Sequence, residues 1–131
     1  MKLTFFVDAL PTAQPRQRGD KHNYIPHDHA IHGWRDHVRV AAHNAIIRAR
    51  WRHSDRPLRL EVLAYLQPTK KYPAGAWYCA HPDSSNILKG VEDALNRVAW
   101  SDDRFVCDTR LIKRSAPVGE KIGALVMVEE L

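Results

Sequence analysis

The segment from Ala30 to Trp51 constrains the fold most, because its apolar residues recur at the three- and four-residue spacing of an amphipathic helix. The apolar positions are Ile31, Trp34, Val38, Ala41, Ala42, Ala45, Ile46 and Ala49. A helix with one apolar stripe must bury that stripe against another element. The remaining surface is mostly basic, with Arg35, Arg39, His43, Arg48 and Arg50. Two interpretations of this basic surface stay open: it is only solvated, or it contacts a phosphate backbone.

Shorter segments on both sides of this helix show the alternation of apolar and polar residues and the β-branched content that are typical of strands. We predict strands at residues 3–7, 58–67, 105–113 and 122–128. A second helix is predicted to be capped by Ser84 or Ser85, to run to about Val98, and to bury a stripe of Ile87, Leu88, Val91, Ala94, Leu95 and Val98. The last two strands look like a hairpin, because residues 115–119 have the composition of a turn. The order β, α, β, α, β, β predicts an α/β (α+β) fold, in which helices pack against a small mixed sheet with at most one parallel crossover.

The composition fits one globular domain spanning residues 1–131, with an apolar content of 44%. Cys79 and Cys107 are too few for a disulfide framework or a zinc site, which favours reduced thiols in a cytoplasmic protein. Asp8 ends the first apolar run too early for a signal peptide. Because no run of about 18 apolar residues occurs, we expect no membrane span.

The chain is basic, with 20 Lys and Arg against 15 Asp and Glu and a formal charge of +5. This balance favours a polyanionic partner such as nucleic acid, although charge alone does not decide it. Lys70 and Lys71 lie in a predicted loop together with Tyr72, Trp77 and Tyr78. Aromatic rings beside lysines can stack on unpaired bases, or they can anchor a loop to the core. We expect Lys70 and Lys71 to contact DNA and Trp77 to anchor the loop.

Acidic residues gather around the second predicted helix. Asp83 comes just before it, at the end where a carboxylate is favoured, and Asp102 and Asp103 stand at the start of the next strand. The intervening chain is long enough to return along the helix and place one of these aspartates beside Asp83. Because such carboxylates repel one another, a bound Mg²⁺ would relieve the repulsion and could orient a water for in-line attack on a phosphodiester.

Ser85, Lys89 and Asp93 are spaced four apart and therefore share one face of this helix. On that face Lys89 could offset the charge of a phosphate. An ordinary interpretation stays open, in which Asp83 only begins a helix, the double aspartate forms a turn, and Lys89 pairs with Asp93 on the surface.

Four histidines crowd one segment, His22, His27, His29 and His32. The spacing of the last two can ligate a metal, but no cysteine lies nearby to complete a zinc set. A solvated or backbone-bonded role is therefore favoured for these side chains.

A resemblance to the RusA family of Holliday-junction resolvases rests on Pro82-Asp83-x-x-Asn86-x-x-Lys89-x-x-x-Asp93-x-Leu95, followed by Asp102-Asp103-x-x-Val106. That family shows a Pro-Asp-x-Asp-Asn-x-x-Lys core, an Asp-Ala-Leu segment and a later Asp-Asp pair. The N-terminal run from Pro11 to Arg18 and the following Tyr24-x-Pro26 also look like the opening of the family. The resemblance covers most of the chain, and its specific part lies between Pro82 and Val106.

The resemblance implies a homodimeric, Mg²⁺-dependent endodeoxyribonuclease, with Mn²⁺ as a substitute metal, that acts in DNA recombination and repair. Each subunit would nick one strand of branched DNA, a four-way junction, so that paired cuts resolve it. Asp83 and Asp103 would be metal-binding carboxylates with a direct part in catalysis, Asp102 would lie close to the metal, and Lys89 would be the catalytic cation. Asn86 would lie beside the site as a candidate DNA contact.

Two further basic residues, Arg16 and Arg18, become candidates for contact with the DNA backbone through the same resemblance. Basic surface would supply most of the affinity, and the shape of the junction most of the selectivity.

One position departs from the family pattern, because Ser85 stands where the family has the second aspartate of its core motif. A serine hydroxyl can coordinate Mg²⁺, but it is neutral and a poorer ligand than a carboxylate. Two hypotheses follow: an active structure-selective nuclease, or a junction-binding protein whose chemistry is weakened. A third, unrelated role is a basic module that binds RNA or a protein.

Overall fold

The computed structural model describes residues 1–15 and 29–131, which form four strands and two helices. The elements are β1 (Lys2–Val7), α1 (Ala30–Ala49), β2 (Leu58–Leu66), α2 (Ser84–Leu95), β3 (Val106–Ser115) and β4 (Gly123–Glu130). A short 3₁₀ turn at Asp103–Phe105 leads into β3. The predicted α+β fold is confirmed, and each element ends within a few residues of its expected bounds.

The four strands form one mixed sheet in the order β1-β4-β2-β3. β2 and β3 are parallel, whereas β4 runs antiparallel to both β1 and β2. The single parallel pair confirms the predicted crossover, and α2 lies within that connection. Because parallel neighbours must be joined by a crossover, α2 and the turn that follows it are brought to the β3 edge of the sheet.

The predicted hairpin of the last two strands is wrong, because β4 pairs with β1 and β2 and not with β3. Alternate side chains of β4 are buried, namely Ala124, Val126 and Val128. A strand with such a buried face is stabilised between two neighbours. β3 is exposed over much of its length and suits the edge of the sheet.

The core lies between the helices and one face of the sheet. Alternate residues of β2 are buried, and they are Leu58, Leu60, Val62, Ala64 and Leu66. The stripe of α1 supplies Ile31, Trp34, Val38, Ala42 and Ala45, and that of α2 supplies Ile87, Val91, Ala94 and Leu95. Both predicted apolar stripes are thus confirmed in their main positions.

His29 caps α1, since its Nδ1 accepts a hydrogen bond from the backbone N–H of Ile31 at 3.0 Å. This contact confirms a backbone-bonded role for His29. His22 and His27 lie outside the described residues.

Cys79 and Cys107 are both exposed free thiols, as predicted. Within residues 1–15 and 29–131, no helix combines the length and apolar character that crossing a membrane requires.

Gly123 begins β4 with a φ of 157°, where a Cβ would lie 2.3 Å from the carbonyl oxygen of Val7. Gly123→Ala is therefore expected to lower the free energy of unfolding by about 2 kcal/mol or more, because the backbone of β1 would have to move. Urea denaturation measures this loss.

Gly33→Ala is the matched control, since nothing lies within 4 Å of its Cβ position on α1. It should raise the stability by about 0.5–1 kcal/mol through helix propensity. Equal stability of the two variants would contradict the close β1–β4 approach.

Candidate functional site

Asp83 is the N-cap residue of α2, with an extended backbone at φ −69° and ψ 141°. The prediction that Ser84 or Ser85 caps the helix is wrong. The Asp83 carboxylate makes no side-chain cap hydrogen bond. It is 61% exposed and lies 3.2 Å from Nδ1 of His81, so its oxygens remain accessible to a cation from solvent.

Lys89 and Asp93 form the predicted pair along the exposed side of α2, with Nζ and Oδ1 3.3 Å apart. The Lys89 side chain is 62% exposed, whereas that of Asp93 is only 25% exposed. The other carboxylate oxygen of Asp93, Oδ2, accepts a hydrogen bond from Nε2 of Gln14 at 2.6 Å. Asp93 is therefore held in place as a partner for the exposed ammonium group of Lys89.

Arg35 joins the same network from α1. Its guanidinium donates to Oε1 of Gln14 and lies 3.4 Å from Oδ2 of Asp93. Arg35 is only 15% exposed, so it departs from the basic surface predicted for α1. Gln14 is buried, and its backbone N–H donates to the carbonyl of Asn86 at 3.0 Å. The network ties the segment before residue 16 to the first turn of α2.

Asp103 is held by the core itself. The side chain of Trp100 is completely buried, and its indole N–H donates to Oδ1 of Asp103 at 2.8 Å. The adjacent Asp102 uses its own carboxylate to accept the backbone N–H of Arg104 at 2.9 Å, which caps the 3₁₀ turn. Asp102 thus shapes the turn, while Asp103 is held by the indole of Trp100.

The surroundings of Asp103 raise the pKa of its carboxyl group above the ordinary value. Burial is the largest cause, and the carboxylates of Asp93 and Asp102 add to it. The Trp100 hydrogen bond and the charge of Lys89 act in the opposite direction. When a carboxylate is partly desolvated among like charges, a cation placed beside it strongly stabilises its charged form.

Glu92 belongs to the same cluster, and its pKa is raised first by burial and then by the charges of Asp103 and Asp93. Lys89 lowers it. The structure therefore brings Lys89, Glu92, Asp93 and Asp103 into one electrostatic cluster at the side of α2.

The described contacts of Asp83 and Asp103 differ. Asp83 contacts His81 before the helix, whereas Asp103 interacts with Lys89 and Asp93 farther along it. Ser85 is exposed in the first turn of α2. Across residues 1–15 and 29–131, no three acidic, imidazole or thiol groups converge closely enough to hold a metal ion. A site shared by Asp83 and Asp103 stays a prediction.

The donor chemistry nevertheless fits Mg²⁺. The candidate ligands Asp83, Asp102, Asp103 and Ser85 all offer oxygen, which this hard cation prefers. Mg²⁺ commonly uses one or two protein carboxylates and completes its shell with water and substrate phosphate oxygens. A full set of three protein carboxylates is therefore not required.

The loop before α2 carries the predicted DNA contacts Lys70 and Lys71, both of which are exposed. Trp77 is 61% exposed and does not anchor the loop in the core, so that expectation is wrong. Arg16 and Arg18 lie outside the described residues.

Sequence reasoning missed Gln14, Arg35 and the structural role of Trp100. The first two meet Asp93 from distant parts of the chain, and no local pattern announces such a contact. Trp100 lies in the same short segment as the double aspartate, and its position three residues before Asp103 was an available signal.

Asp93→Asn should lower the free energy of unfolding by about 1–3 kcal/mol, because it removes the charge that faces a nearly buried Arg35. Asp36→Asn is the control, since Asp36 is 74% exposed in its pair with Arg39 and should change stability by less than about 0.5 kcal/mol. Chemical denaturation compares the two variants, and equal small losses would contradict the anchoring network.

Glu92→Gln should raise the melting temperature in metal-free buffer at pH 7 by about 2 °C. The folded protein holds the Glu92 proton to a higher pH than the unfolded chain does, because its pKa is raised. This carboxyl group therefore contributes stability below its ordinary pKa of about 4.3, and that contribution is lost as the pH rises through the raised value.

The advantage of Glu92→Gln should accordingly vanish below about pH 4, where both proteins are uncharged at this position. Glu120→Gln, at an exposed turn residue, serves as the control in the same melting series. An equal effect of the two substitutions at pH 7 would contradict the repulsive cluster.

Comparison with known proteins identifies the chain's family. No curated protein matches it. The sequence model of the family described as endodeoxyribonuclease RusA matches residues 8–127, which include α1, α2, the double aspartate and β3. The match confirms the resemblance seen in the motifs around α2. The chain belongs to the RusA family of endodeoxyribonucleases, which act on branched DNA junctions.

Proposed function

We propose that this chain is a structure-selective endodeoxyribonuclease that resolves Holliday junctions by paired, Mg²⁺-dependent nicks in DNA recombination and repair. Residues 1–131 would act as one nuclease domain within a homodimer. One observation carries the proposal: in a chain of this family, the buried indole of Trp100 holds the Asp103 carboxylate at 2.8 Å, where the charges of Lys89 and Asp93 act on its pKa. A carboxylate fixed beside a cation is suited to phosphodiester hydrolysis.

Asp83 and Asp103 would hold the metal ion, with Asp102 and Ser85 close by. When bound, Mg²⁺ would supply a Lewis acid that polarises the scissile phosphate and lowers the pKa of an attacking water. The hydrogen bond from Trp100 keeps the Asp103 carboxylate oriented, so little reorganisation accompanies the reaction.

Lys89 would stabilise the negative charge that develops on the phosphate. Its ammonium group is exposed enough to reach substrate, and Asp93 limits the positions that it samples. Because Asp93 is itself held by Gln14, the lysine is placed before the substrate arrives. The positive charge of Lys89 would then stand where negative charge develops on the phosphate in the transition state.

Basic residues would position the DNA. Lys70 and Lys71 are exposed on the loop before α2, and Asn86 lies in the first turn of α2. Arg16 and Arg18 stand one and three residues after Pro15 in the sequence. The formal charge of +5 favours a polyanion, and the affinity should fall as salt rises. Two-fold symmetry of a homodimer would match the near two-fold symmetry of a four-way junction.

The alternative function is a junction-binding protein with weakened chemistry. Ser85 favours it, because this exposed hydroxyl replaces a charged carboxylate in the first turn of α2. The site would then carry one less negative charge and bind Mg²⁺ more weakly. DNA binding would be unaffected or stronger, since a repulsive carboxylate is absent.

A labelled four-way junction incubated with Mg²⁺ or Mn²⁺ tests the proposal. Symmetric nicks are expected from the unaltered chain, and Lys89→Met and Asp103→Asn should each slow nicking by about 100-fold or more. Lys121→Met is the matched control, because Lys121 is an exposed lysine paired with Asp8 elsewhere on the surface. Unchanged nicking in Lys89→Met or Asp103→Asn would contradict the site assignment.

Ser85→Asp separates the two functions. If the unaltered chain binds the junction without nicking it and Ser85→Asp nicks, the protein is a junction binder with a missing ligand. Absence of both binding and nicking in every variant would contradict both functions, and competition with RNA would then test the remaining role.

A further inference from the structure

Residues 69–82, here called the β3 loop, are fastened along the edge of the sheet. The backbone N–H of Gly75 donates to the carbonyl of Ser115 at 3.1 Å, and that of Ser115 donates to Ala76 at 3.0 Å. Tyr78 donates to the carbonyl of Lys113 at 3.4 Å. The loop thereby acts almost as a further strand beside β3, with a fixed position for the side chains that it carries.

Trp77 is the exposed exception among the four tryptophans of the chain. Trp34, Trp51 and Trp100 are at most 5% exposed, whereas Trp77 is 61% exposed. The guanidinium of Arg114 lies 4.1 Å from the centroid of its ring and covers one face. The large remaining exposure leaves the ring available to a second planar group.

Cations and aromatic rings also alternate elsewhere in the β3 loop and the part of β3 beside it. The ammonium groups of Lys71 and Lys113 lie 5.6 Å and 5.8 Å from the ring centroids of Tyr72 and Tyr78, respectively. The two tyrosine rings are themselves 5.3 Å apart. Rings that stack on bases, interleaved with cations that meet phosphates, match the chemistry of unpaired nucleic acid.

Lys113 also connects this surface to the candidate metal ligand. Its ammonium group donates to the carbonyl oxygens of Ala80 at 2.7 Å and Pro82 at 2.8 Å. Pro82 directly precedes Asp83. Lys113 thus fastens the backbone that leads to Asp83, while the next residue of β3, Arg114, points to the opposite face of the sheet and covers Trp77.

From this arrangement we propose that Trp77, supported by Arg114, is a base-stacking residue that holds an unpaired or unstacked nucleobase of the bound DNA. The ligand is DNA at a branch point, where bases lack a stacking neighbour on one side. This inference rests on the proposed function and deepens it, because it assigns junction selectivity to a particular surface. A fully stacked duplex offers no free base face to Trp77.

Fluorescence of 2-aminopurine tests the inference without requiring cleavage. The base analogue is placed at the branch point of a junction, and separately within a single-stranded oligonucleotide, both in buffer without divalent metal. Stacking on Trp77 should quench its emission on binding. Trp77→Ala should abolish most of the quenching and weaken binding by about tenfold or more, and Trp77→Phe should restore much of both.

Phe6→Ala is the matched control, because Phe6 is an exposed aromatic residue on β1, at the opposite edge of the sheet. It should leave quenching and affinity unchanged. Thermal melting of all variants identifies any that fails to fold, and Trp77→Phe keeps the test informative if the alanine variant is unstable.

The outcomes separate this inference from the proposed function. Quenching that is unchanged in Trp77→Ala, while the unaltered chain nicks junctions, would overturn the stacking role and leave the nuclease assignment intact. Quenching that depends on Trp77 without any nicking would support the stacking surface and contradict an active nuclease. Absence of quenching with either DNA in the unaltered chain would overturn the inference.

Discussion

The hydrogen bond from the buried indole of Trp100 to the carboxylate of Asp103 is the contact on which the candidate site depends. Trp100 is completely buried, so its N–H group needs a partner, and the aspartate supplies one at the surface of the core. This single contact ties the position of the Asp103 carboxylate, the proposed metal ligand, to the packing of the core. The turn between α2 and β3 therefore has little freedom to move Asp103 away from α2.

Several carboxylates that repel one another lie around Asp103. Burial and neighbouring acids raise the pKa values of Asp103 and Glu92, while Lys89 opposes the effect from the same helix. Similar clusters reduce the stability of a protein unless a cation relieves the repulsion. A metal ion or the positive charge of Lys89 can provide this relief, which links the cost in stability to the proposed chemistry of phosphate cleavage.

Local periodicity predicted both helices and all four strands, because the apolar stripes of α1 and α2 and the alternation in β2 are visible along the sequence. The place of β4 between β1 and β2 was not predictable in this way, since strand pairing depends on contacts between distant segments. The same limit applies to the site. Spacing placed Lys89 beside Asp93, but the anchoring of Asp93 by Gln14 and Arg35 joins three separate segments.

The central claim is that the start of α2 and the turn after it form one metal-dependent site. Anomalous diffraction at the manganese edge, from crystals of the Lys89→Met variant bound to a four-way junction with Mn²⁺, tests it most directly. A manganese peak is expected that is bound by both Asp83 and Asp103 and by an oxygen of the DNA phosphate. A peak held by other residues, or by only one of these two aspartates, would contradict it.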